Sequence, residues 1–388
     1  MLTAEQNEIR DLARAFAQGE ITPHVEAWDA AAALPASLFE NLSELGFMGM
    51  LVPEAYGGLD LDVTSYLVVV EELARADAAS ALTVSIQNGP VASTLLKHGT
   101  EAQREAWLPG LAAGEHIGAF ALSEEGAGSD PAGVATTATR DGDGWVLNGA
   151  KKWVTNGARA GLLLVFARTG DRGELGCFLV PGGHPGLEVQ GRTTTMGLRA
   201  SETAEVRLNE VRLPLDALVG AAGNGLGIAL DALTLGRAGI AAQAVGIAEA
   251  SLEHAVRYSR EREQFGRPLA AFGAIQAKLA EMAARTAVAR AAVREVGARL
   301  QRVRAGEADD GVGENSLVAR VAGAKLVASE TAMFASDEAV QIFGGYGYMR
   351  DYPVEKLMRD AKGTEIYEGT SEILRFVIAR EIMRAAEG

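Results

Sequence analysis

Residues Val134-Ala-Thr-Thr-Ala-Thr-Arg140-Asp141-Gly142-Asp143-Gly144-Trp145-Val-Leu-Asn148 read as two β-strands joined by a tight turn. Valine and threonine crowd the arms, where branched side chains suit a pleated surface. The repeated Asp-Gly between them supplies the positive-φ residues a hairpin needs. Working outward, further short runs of this kind lie at Gly118–Leu122, Leu162–Arg168, Cys177–Val180, Glu202–Leu208 and Val211–Leu213. Gly182, Gly183, Pro185 and Gly186 mark one more loop among them. No helical stretch intervenes, so a parallel βαβ sheet is not expected. A small antiparallel sheet or barrel is.

Both flanks of this region have helical periodicity. On the N-terminal side, Thr3 and Gln6 have capping-box spacing, followed by Ile9, Leu12, Ala13 and Phe16. Leu38, Leu42 and Leu45 form a second stripe that Gly46 stops. Thr64 is the expected cap of a helix holding Leu67, Val70 and Leu73, and Thr100 with Gln103 repeats the capping box. On the C-terminal side, long helices are expected over Ile228–Ser259, Phe272 to about Ala305, Ser316–Phe343 and Thr370–Ala386, with a Gly- and Asp-rich loop at Gly306–Gly313. Long antiparallel helices with short links suggest a four-helix bundle. The expected fold is α+β. An all-α domain spans 1–117, a middle antiparallel β domain 118–221, and a C-terminal four-helix bundle 222–388.

A chain of 388 residues, 48% hydrophobic and 22% charged, has room for a large core and is not a disordered chain. Acids outnumber bases 51 to 36, a net charge of -15, which argues against nucleic-acid and anionic-membrane partners. One cysteine, Cys177, excludes an internal disulfide and a multi-cysteine zinc site. The first basic residue is Arg10, after Glu5 and Glu8, so no signal-peptide start is read. The uncharged run Ala78–Leu96 contains Gln87, Asn88, Gly89 and Pro90 and is too polar for a membrane span. Together these features read as a cytoplasmic protein.

Four segments could carry chemistry. Phe120-Ala-Leu-Ser-Glu-Glu-Gly-Ala-Gly-Ser129-Asp130 ends a strand, and its small residues would let backbone N–H groups approach a phosphate or polar ring edge. In Lys151-Lys-Trp-Val-Thr-Asn-Gly157, Trp153 could shield a flat cofactor, with Thr155 on the same strand face. Gln341-Ile-Phe-Gly-Gly-Tyr-Gly-Tyr348 ends a long helix. Ile366-Tyr-Glu-Gly-Thr-Ser-Glu-Ile373 enters the last helix, with Thr370 as N-cap, Glu372 complementing the dipole, and Glu368 placed to act as a general base. Taken singly, each also reads as ordinary structure: a strand-ending turn, a core Trp, a Gly-rich helix stop, a solvated loop acid. A Rossmann fingerprint, a Walker A loop and a Gly-x-Ser-x-Gly elbow are absent, and the five His residues lack metal-ligand spacing, so no metal is expected.

In this order, the four segments resemble the acyl-CoA dehydrogenase family over essentially the whole chain. Leu51-Val-Pro-Glu-Ala-Tyr-Gly-Gly58, Met196-Gly-Leu-Arg199, Arg260-Glu-Arg-Glu-Gln-Phe-Gly-Arg267 and Arg359-Asp-Ala-Lys362 add to the match. The resemblance implies FAD, an acyl-CoA substrate and removal of its α and β hydrogens, with electrons passed to an electron-transfer flavoprotein. Glu368 aligns with the family's base. Its backbone N–H, with a ribityl hydroxyl of FAD, would polarise the thioester carbonyl in the manner of an oxyanion hole. Some members carry the base on a helix just before the arginine that matches Arg237. Gly236 stands at that position here, so the pattern looks like the short-chain, medium-chain and short-branched-chain members.

By the same matching, Phe120, Leu122, Ser123, Gly128 and Ser129 would line the flavin and pyrophosphate. Trp153 and Thr155 would flank the isoalloxazine ring. Arg262 and Phe265, with Gln341, Ile342, Gly344 and Gly345 from a neighbouring subunit, would hold the adenosine-diphosphate half, and Thr370 and Glu372 would contact FAD. Ser129, Arg237, Tyr367 and Gly369 would meet the substrate, Gly369 by letting the thioester come close. Cofactor sites shared across subunits imply a homo-oligomer, usually a tetramer. Three positions depart from the family pattern: Gly273 replaces a glutamine that contacts FAD, Thr234 an acid near the pantetheine, and Glu125 a proline in the first flavin segment. The second leaves an acyl-carrier-protein thioester as an alternative substrate. A flavin monooxygenase or oxidase, or a non-catalytic scaffold, would not need an acid at 368.

Overall fold

The Thr3 hydroxyl accepts the Gln6 amide while Gln6 accepts the Thr3 N–H, and helix α1 (Ala4–Phe16) starts on this reciprocal cap. The structure, a computed structural model, describes residues 2–172 and 174–387. Beyond α1 the N-terminal region holds α2 (Val25–Ala31), α3 (Ala36–Glu44), α4 (Val63–Ala76), α5 (Ala78–Ile86), α6 (Ser93–His98) and α7 (Glu101–Ala112). Thr100 and Gln103 cap α7 as expected, and Gly46 (φ 71°) follows α3. The cap of α4 is Asp62, whose carboxylate accepts the Ser65 amide, and not Thr64, which is the second residue of the helix and is buried. The uncharged run Ala78–Leu96 bends through a π-helical stretch, Gln87–Ala92, between α5 and α6. Pro90 lies in that stretch and lacks the N–H that a regular α-helix would use there. The bend is wholly buried in the protein.

The middle region is one eight-stranded sheet, not a closed barrel. Its strands are β1 (Gly118–Ala121), β2 (Thr137–Asp141), β3 (Gly144–Val154), β4 (Leu162–Arg168), β5 (Leu175–Pro181), β6 (Leu187–Arg192), β7 (Ala204–Pro214) and β8 (Leu218–Val219). The order is β6-β7-β3-β2-β4-β5-β8, with β1 beside β4. The β2–β3 hairpin turns at Asp141–Gly144, as its sequence predicts. The two runs expected at 202–213 are one strand, β7, bridging Asn209 and Glu210. Most neighbours are antiparallel, but β1 and β2 both run parallel to β4. They occupy successive stretches of the same edge: β1 against Leu162–Val165, β2 at Arg168. The chain therefore leaves the sheet at Ala121 and rejoins it at Thr137, and the excursion between carries the first Gly-rich segment.

The C-terminal region contains α8 (Gly225–Glu261), α9 (Gly273–Arg304), α10 (Leu317–Phe343), α11 (Pro353–Thr364) and α12 (Ser371–Ala386). Between α8 and α9 lies a short hairpin, β9 (Glu263–Gln264) with β10 (Arg267–Pro268). The four long helices have their expected extents within a few residues. Helix α11 is an addition to the expected bundle, packed on α8 and α10, while α12 packs on α10. The apolar residues of α8 make it long enough to cross a membrane, but that stretch is mostly buried between α4, α9 and α10. It is the core helix of the assembly. A buried Lys356 joins the three regions: its ammonium bonds Asp77 at 2.7 Å and Asp360 at 2.6 Å, and Asp360 also accepts the Leu198 amide.

Candidate active site

Glu124 closes the excursion between β1 and β2. Its carboxylate accepts the backbone amides of Ala135 (2.7 Å) and Thr136 (3.0 Å) and the Lys151 ammonium (2.7 Å). Lys151, fully buried on β3, also donates to the Leu122 carbonyl at 3.1 Å. Burial pushes the Lys151 ammonium down to about 8 against the pull of Glu124, while Glu124, despite its own burial, is held below the usual carboxylate range by Lys151. The loop thus presents Leu122 and Ser123 from a fixed backbone.

At the end of β3 the pleat breaks. Trp153 has φ 57°, and the register with β7 shifts between Lys151 and Val154. The simple alternation expected for Trp153 and Thr155 does not hold, yet both face one cavity. Asn156 fixes this corner. It is buried, with φ 63°, donates to the Gly118 carbonyl, and accepts from Thr83.

The base loop lies opposite, between α11 and α12. Glu368 has φ 56°, a left-handed conformation that costs a non-glycine residue roughly 1–3 kcal/mol, and Gly369 follows at φ 98°. Buried side chains hold this turn by its polar atoms. Arg237 Nε donates to the Glu368 carbonyl (3.1 Å), Lys325 Nζ to the Gly369 carbonyl (2.8 Å), and Ser329 Oγ to the Thr364 carbonyl (2.9 Å). The Tyr367 hydroxyl donates to Gln243 Oε1 at 2.6 Å. Thr370 caps α12 by accepting the Ile373 amide, as its sequence predicts.

The Glu368 carboxylate is left without a partner. The residue is only partly buried, but Oε2 is shielded from solvent and accepts no hydrogen bond among the described residues. Burial pushes its pKa up to about 7, against the opposing pull of Arg237 and Lys325. It lies over Gly236, where an added Cβ would be 2.7 Å from Oε2. No acceptor for the Glu368 backbone N–H occurs among the described residues.

A cavity of about 370 Å³ joins these parts. Phe120, Leu122, Ser123, Trp153, Thr155, Tyr367 and Glu368, all singled out in the sequence, line it together. Thr195, Met196, Gly197 and Leu198 of the Met-Gly-Leu-Arg segment form another wall. Leu82, Ile86 and Leu233 close it with apolar side chains; nothing in the sequence set them apart from other core residues. Trp153 is 54% exposed, a large aromatic face left open at a concave wall. That face, the Thr155 hydroxyl and the fixed loop at Leu122–Ser123 fit a flat, polar-edged ring such as a flavin.

The remaining residues lie elsewhere. Arg262, Ile342, Gly344 and Gly345 line a second cleft with Tyr258 and Tyr346, which shares no lining residue with the first. Arg262 and the 342–345 segment thus form one surface of this chain. Gln341 is exposed outside that cleft, and Phe265, 92% exposed, tips the β9–β10 hairpin. Gly128 and Ser129 are exposed and outside the cavity lining. Glu372 is exposed in the first turn of α12. Gly369 is not among the residues lining the cavity; a Cβ there would meet Leu374 and Arg237 at ordinary contact distance, so glycine serves the positive φ of the turn. Arg237 stands behind the base, buried, and does not line the cavity. Of the departures, Glu125 pairs with Lys152 at 3.2 Å, Thr234 turns its hydroxyl back to the Leu230 carbonyl, and Gly273 opens α9 into free space.

Three family models match this chain: the acyl-CoA dehydrogenase N-terminal domain over residues 3–115, the middle domain over 119–211 and the C-terminal domain over 223–383. The chain belongs to the acyl-CoA dehydrogenase family, a family of FAD-dependent oxidoreductases. An acyl-CoA dehydrogenase of Bacillus subtilis (strain 168) is 42% identical over 386 residues, covering 98% of this chain and 99% of the relative. Butyryl-CoA dehydrogenase from Megasphaera elsdenii superposes with a TM-score of 0.94 at 40% identity, covering 99% of both chains. A chain of the structure described as electron transferring flavoprotein of Acidaminococcus fermentans superposes with a TM-score of 0.93, also at 40% identity and 99% of both chains.

Proposed function

We propose that this chain catalyses α,β-dehydrogenation of an acyl-CoA thioester to the trans-2-enoyl-CoA. The observation that carries the reading is the Glu368 carboxylate, desolvated, unpartnered and facing a cavity with an aromatic wall. A carboxylate taken out of water is a stronger base than one in solution, and its ordinary affinity for protons rises toward working pH. Glu368 removes the α-proton, and its own backbone N–H stabilises charge developing on the thioester oxygen. FAD, when bound, supplies the acceptor for the β-hydride. Trp153, Thr155, Phe120, Leu122 and Ser123 hold its ring against the cavity wall.

Leu82, Ile86 and Leu233 shape an apolar end that suits a short acyl chain. The likeness to a butyryl-CoA dehydrogenase supports the same chain length. The second cleft, with Arg262, Ile342, Gly344 and Gly345, takes the adenosine-diphosphate half of the cofactor of a neighbouring subunit, which makes the protein a homo-oligomer, a tetramer in our reading. The exposed Phe265 and Tyr348 flank that cleft and suit burial between subunits. Electrons pass to an electron-transfer flavoprotein, a partner that the Acidaminococcus fermentans likeness supports. The reading takes domain limits at 117/118 and 221/222, and a cytoplasmic setting, which the free, buried Cys177 suits.

Anaerobic titration with butyryl-CoA, followed by visible flavin absorbance, tests the reading. Bleaching is expected in the natural protein and its loss in Glu368→Gln, with the flavin retained. Bleaching at the natural rate in Glu368→Gln overturns the assignment of the base. Bleaching only with a butyryl thioester of an acyl carrier protein replaces CoA by that carrier, in keeping with Thr234 in place of an acid.

A further inference from the structure

Lys325 sits in the middle of α10 with no accessible surface. A buried ammonium is normally paired with a carboxylate. This one has a single hydrogen-bond partner among the described residues, the Gly369 carbonyl at 2.8 Å. That carbonyl belongs to the residue after the base, in the turn where both Glu368 and Gly369 have positive φ. Arg237, from α8 on the other side, holds the preceding carbonyl. Two cations from two helices therefore grip consecutive carbonyls of one strained turn, and neither hydrogen-bonds the carboxylate itself.

We propose that Lys325 is a positioning residue for the base. It holds the Glu368–Gly369 turn in its left-handed form, and its positive charge favours the ionised state of Glu368 while leaving the lone pairs free for the α-proton. A direct ion pair would satisfy the charge but occupy those lone pairs. Bonding the adjacent carbonyl supplies the field and keeps the carboxylate open. The inference rests on the reading of Glu368 as the base. The charged and titratable groups around it are Arg237 on α8, Lys325 on α10, Tyr66 on α4 and Tyr367 beside it. Glu365 and Glu372 act on Lys325, and Arg380 on Arg237. Of the acids, Glu368 acts on Lys325 most strongly.

The test compares Lys325→Met, Lys325→Arg and Glu368→Gln in the FAD-loaded protein, with two readouts. The first is the pH profile of flavin bleaching by butyryl-CoA in a single turnover. Loss of a nearby positive charge raises a carboxylate's pKa, so the acid limb in Lys325→Met moves up by about one pH unit, while Lys325→Arg stays with the natural protein. The second is hydrogen exchange of the amides of residues 365–371, which speeds about tenfold in Lys325→Met and is restored in Lys325→Arg. If Lys325→Met lowers the rate with the acid limb unmoved, the residue is merely structural and the charge argument is overturned. If exchange in the turn is unchanged, the grip is overturned. Should Lys325→Met not fold, Lys325→Gln serves the same two readouts. Bleaching that survives in Glu368→Gln fails the reading of the base itself, whereas loss there with an unmoved Lys325→Met profile fails only the present proposal.

Discussion

The Glu368 carboxylate occupies the space that a side chain at Gly236 would fill: a Cβ there would lie 2.7 Å from Oε2 and 2.9 Å from Oε1. A side chain on this turn of α8 would have to displace the Glu368 carboxylate. Gly236→Ala should therefore push the carboxylate off its position without touching the cofactor wall. Misplacement by about 1 Å can cost on the order of 10²-fold in rate. The expected result is a fall of that order in the bleaching rate with butyryl-CoA, with flavin spectrum and content unchanged. A rate within twofold of the natural protein would mean that the turn at 368 moves freely.

The elevated pKa of Glu368 sets the direction of two pH effects. Activity needs the carboxylate, so the bleaching rate should rise through about pH 7 and level off above it. Stability runs the other way. The folded value lies above the ordinary carboxylate value of 4.5, so between about pH 4.5 and 7 the folded protein holds a proton that the unfolded chain releases. This group's contribution is thus full below about pH 4.5 and is lost as pH rises through 7, by about 3 kcal/mol at most. Glu368→Gln should melt at a higher temperature than the natural protein at pH 8 and at the same temperature near pH 4.5. Equal melting temperatures at pH 8 would contradict burial of the charge.

The parts of the site differ in how far the sequence reveals them. The Tyr367-Glu-Gly-Thr370 segment and the Trp153/Thr155 pair are local strings, so a linear reading finds them. Lys325 and Gln243 act on that segment from α10 and α8, and a lysine or glutamine inside a long helix gives no sign of what it touches. Leu82 and Ile86 are ordinary core leucine and isoleucine until the fold brings them to the wall of the cavity that Glu368 also lines. In the fold, β6 carries no alternating apolar signal, because Glu188, Gln190, Gly191 and Arg192 make it a polar, exposed edge. Helix α11 had a readable signal in Pro353 at its first turn and Val354, Leu357 and Ala361 at helical spacing. The parallel placement of β1 and β2 along β4 depends on pairing across the excursion, which no local pattern encodes.

Lys356 makes the three regions one unit. It bridges Asp77, which caps α5, and Asp360, which holds the Leu198 amide at the cavity wall. Lys356→Met would strand two buried acids, and breaking a buried ion pair from one side costs roughly 3–5 kcal/mol. The denaturation midpoint should fall accordingly, with the transition still single because α8 of the C-terminal region also packs on α4 and on β5. A second transition would show that the parts unfold separately. A loss under about 1 kcal/mol would mean that Asp77 and Asp360 find other partners.

Lys151 offers the corresponding test at the cofactor wall. Its ammonium ties the Leu122 carbonyl to Glu124, and Glu124 in turn holds the amides of Ala135 and Thr136, so one buried charge fixes both ends of the excursion. In Lys151→Met the Glu124 carboxylate keeps its two amide bonds but loses its countercharge, and the Leu122 carbonyl loses a donor. A hydrogen bond to a charged group contributes about 1.5–3 kcal/mol, which corresponds to roughly 10- to 100-fold in affinity if it is realised in the bound state. Lys151→Met should release FAD on dialysis with a dissociation constant raised at least about tenfold, measured by flavin fluorescence. Because Glu368 and its supports lie on the far side of the cavity, the acid limb of the bleaching profile should stay near pH 7 when the variant is saturated with FAD. A shifted limb with unchanged FAD affinity would assign Lys151 to the base and not to the cofactor wall.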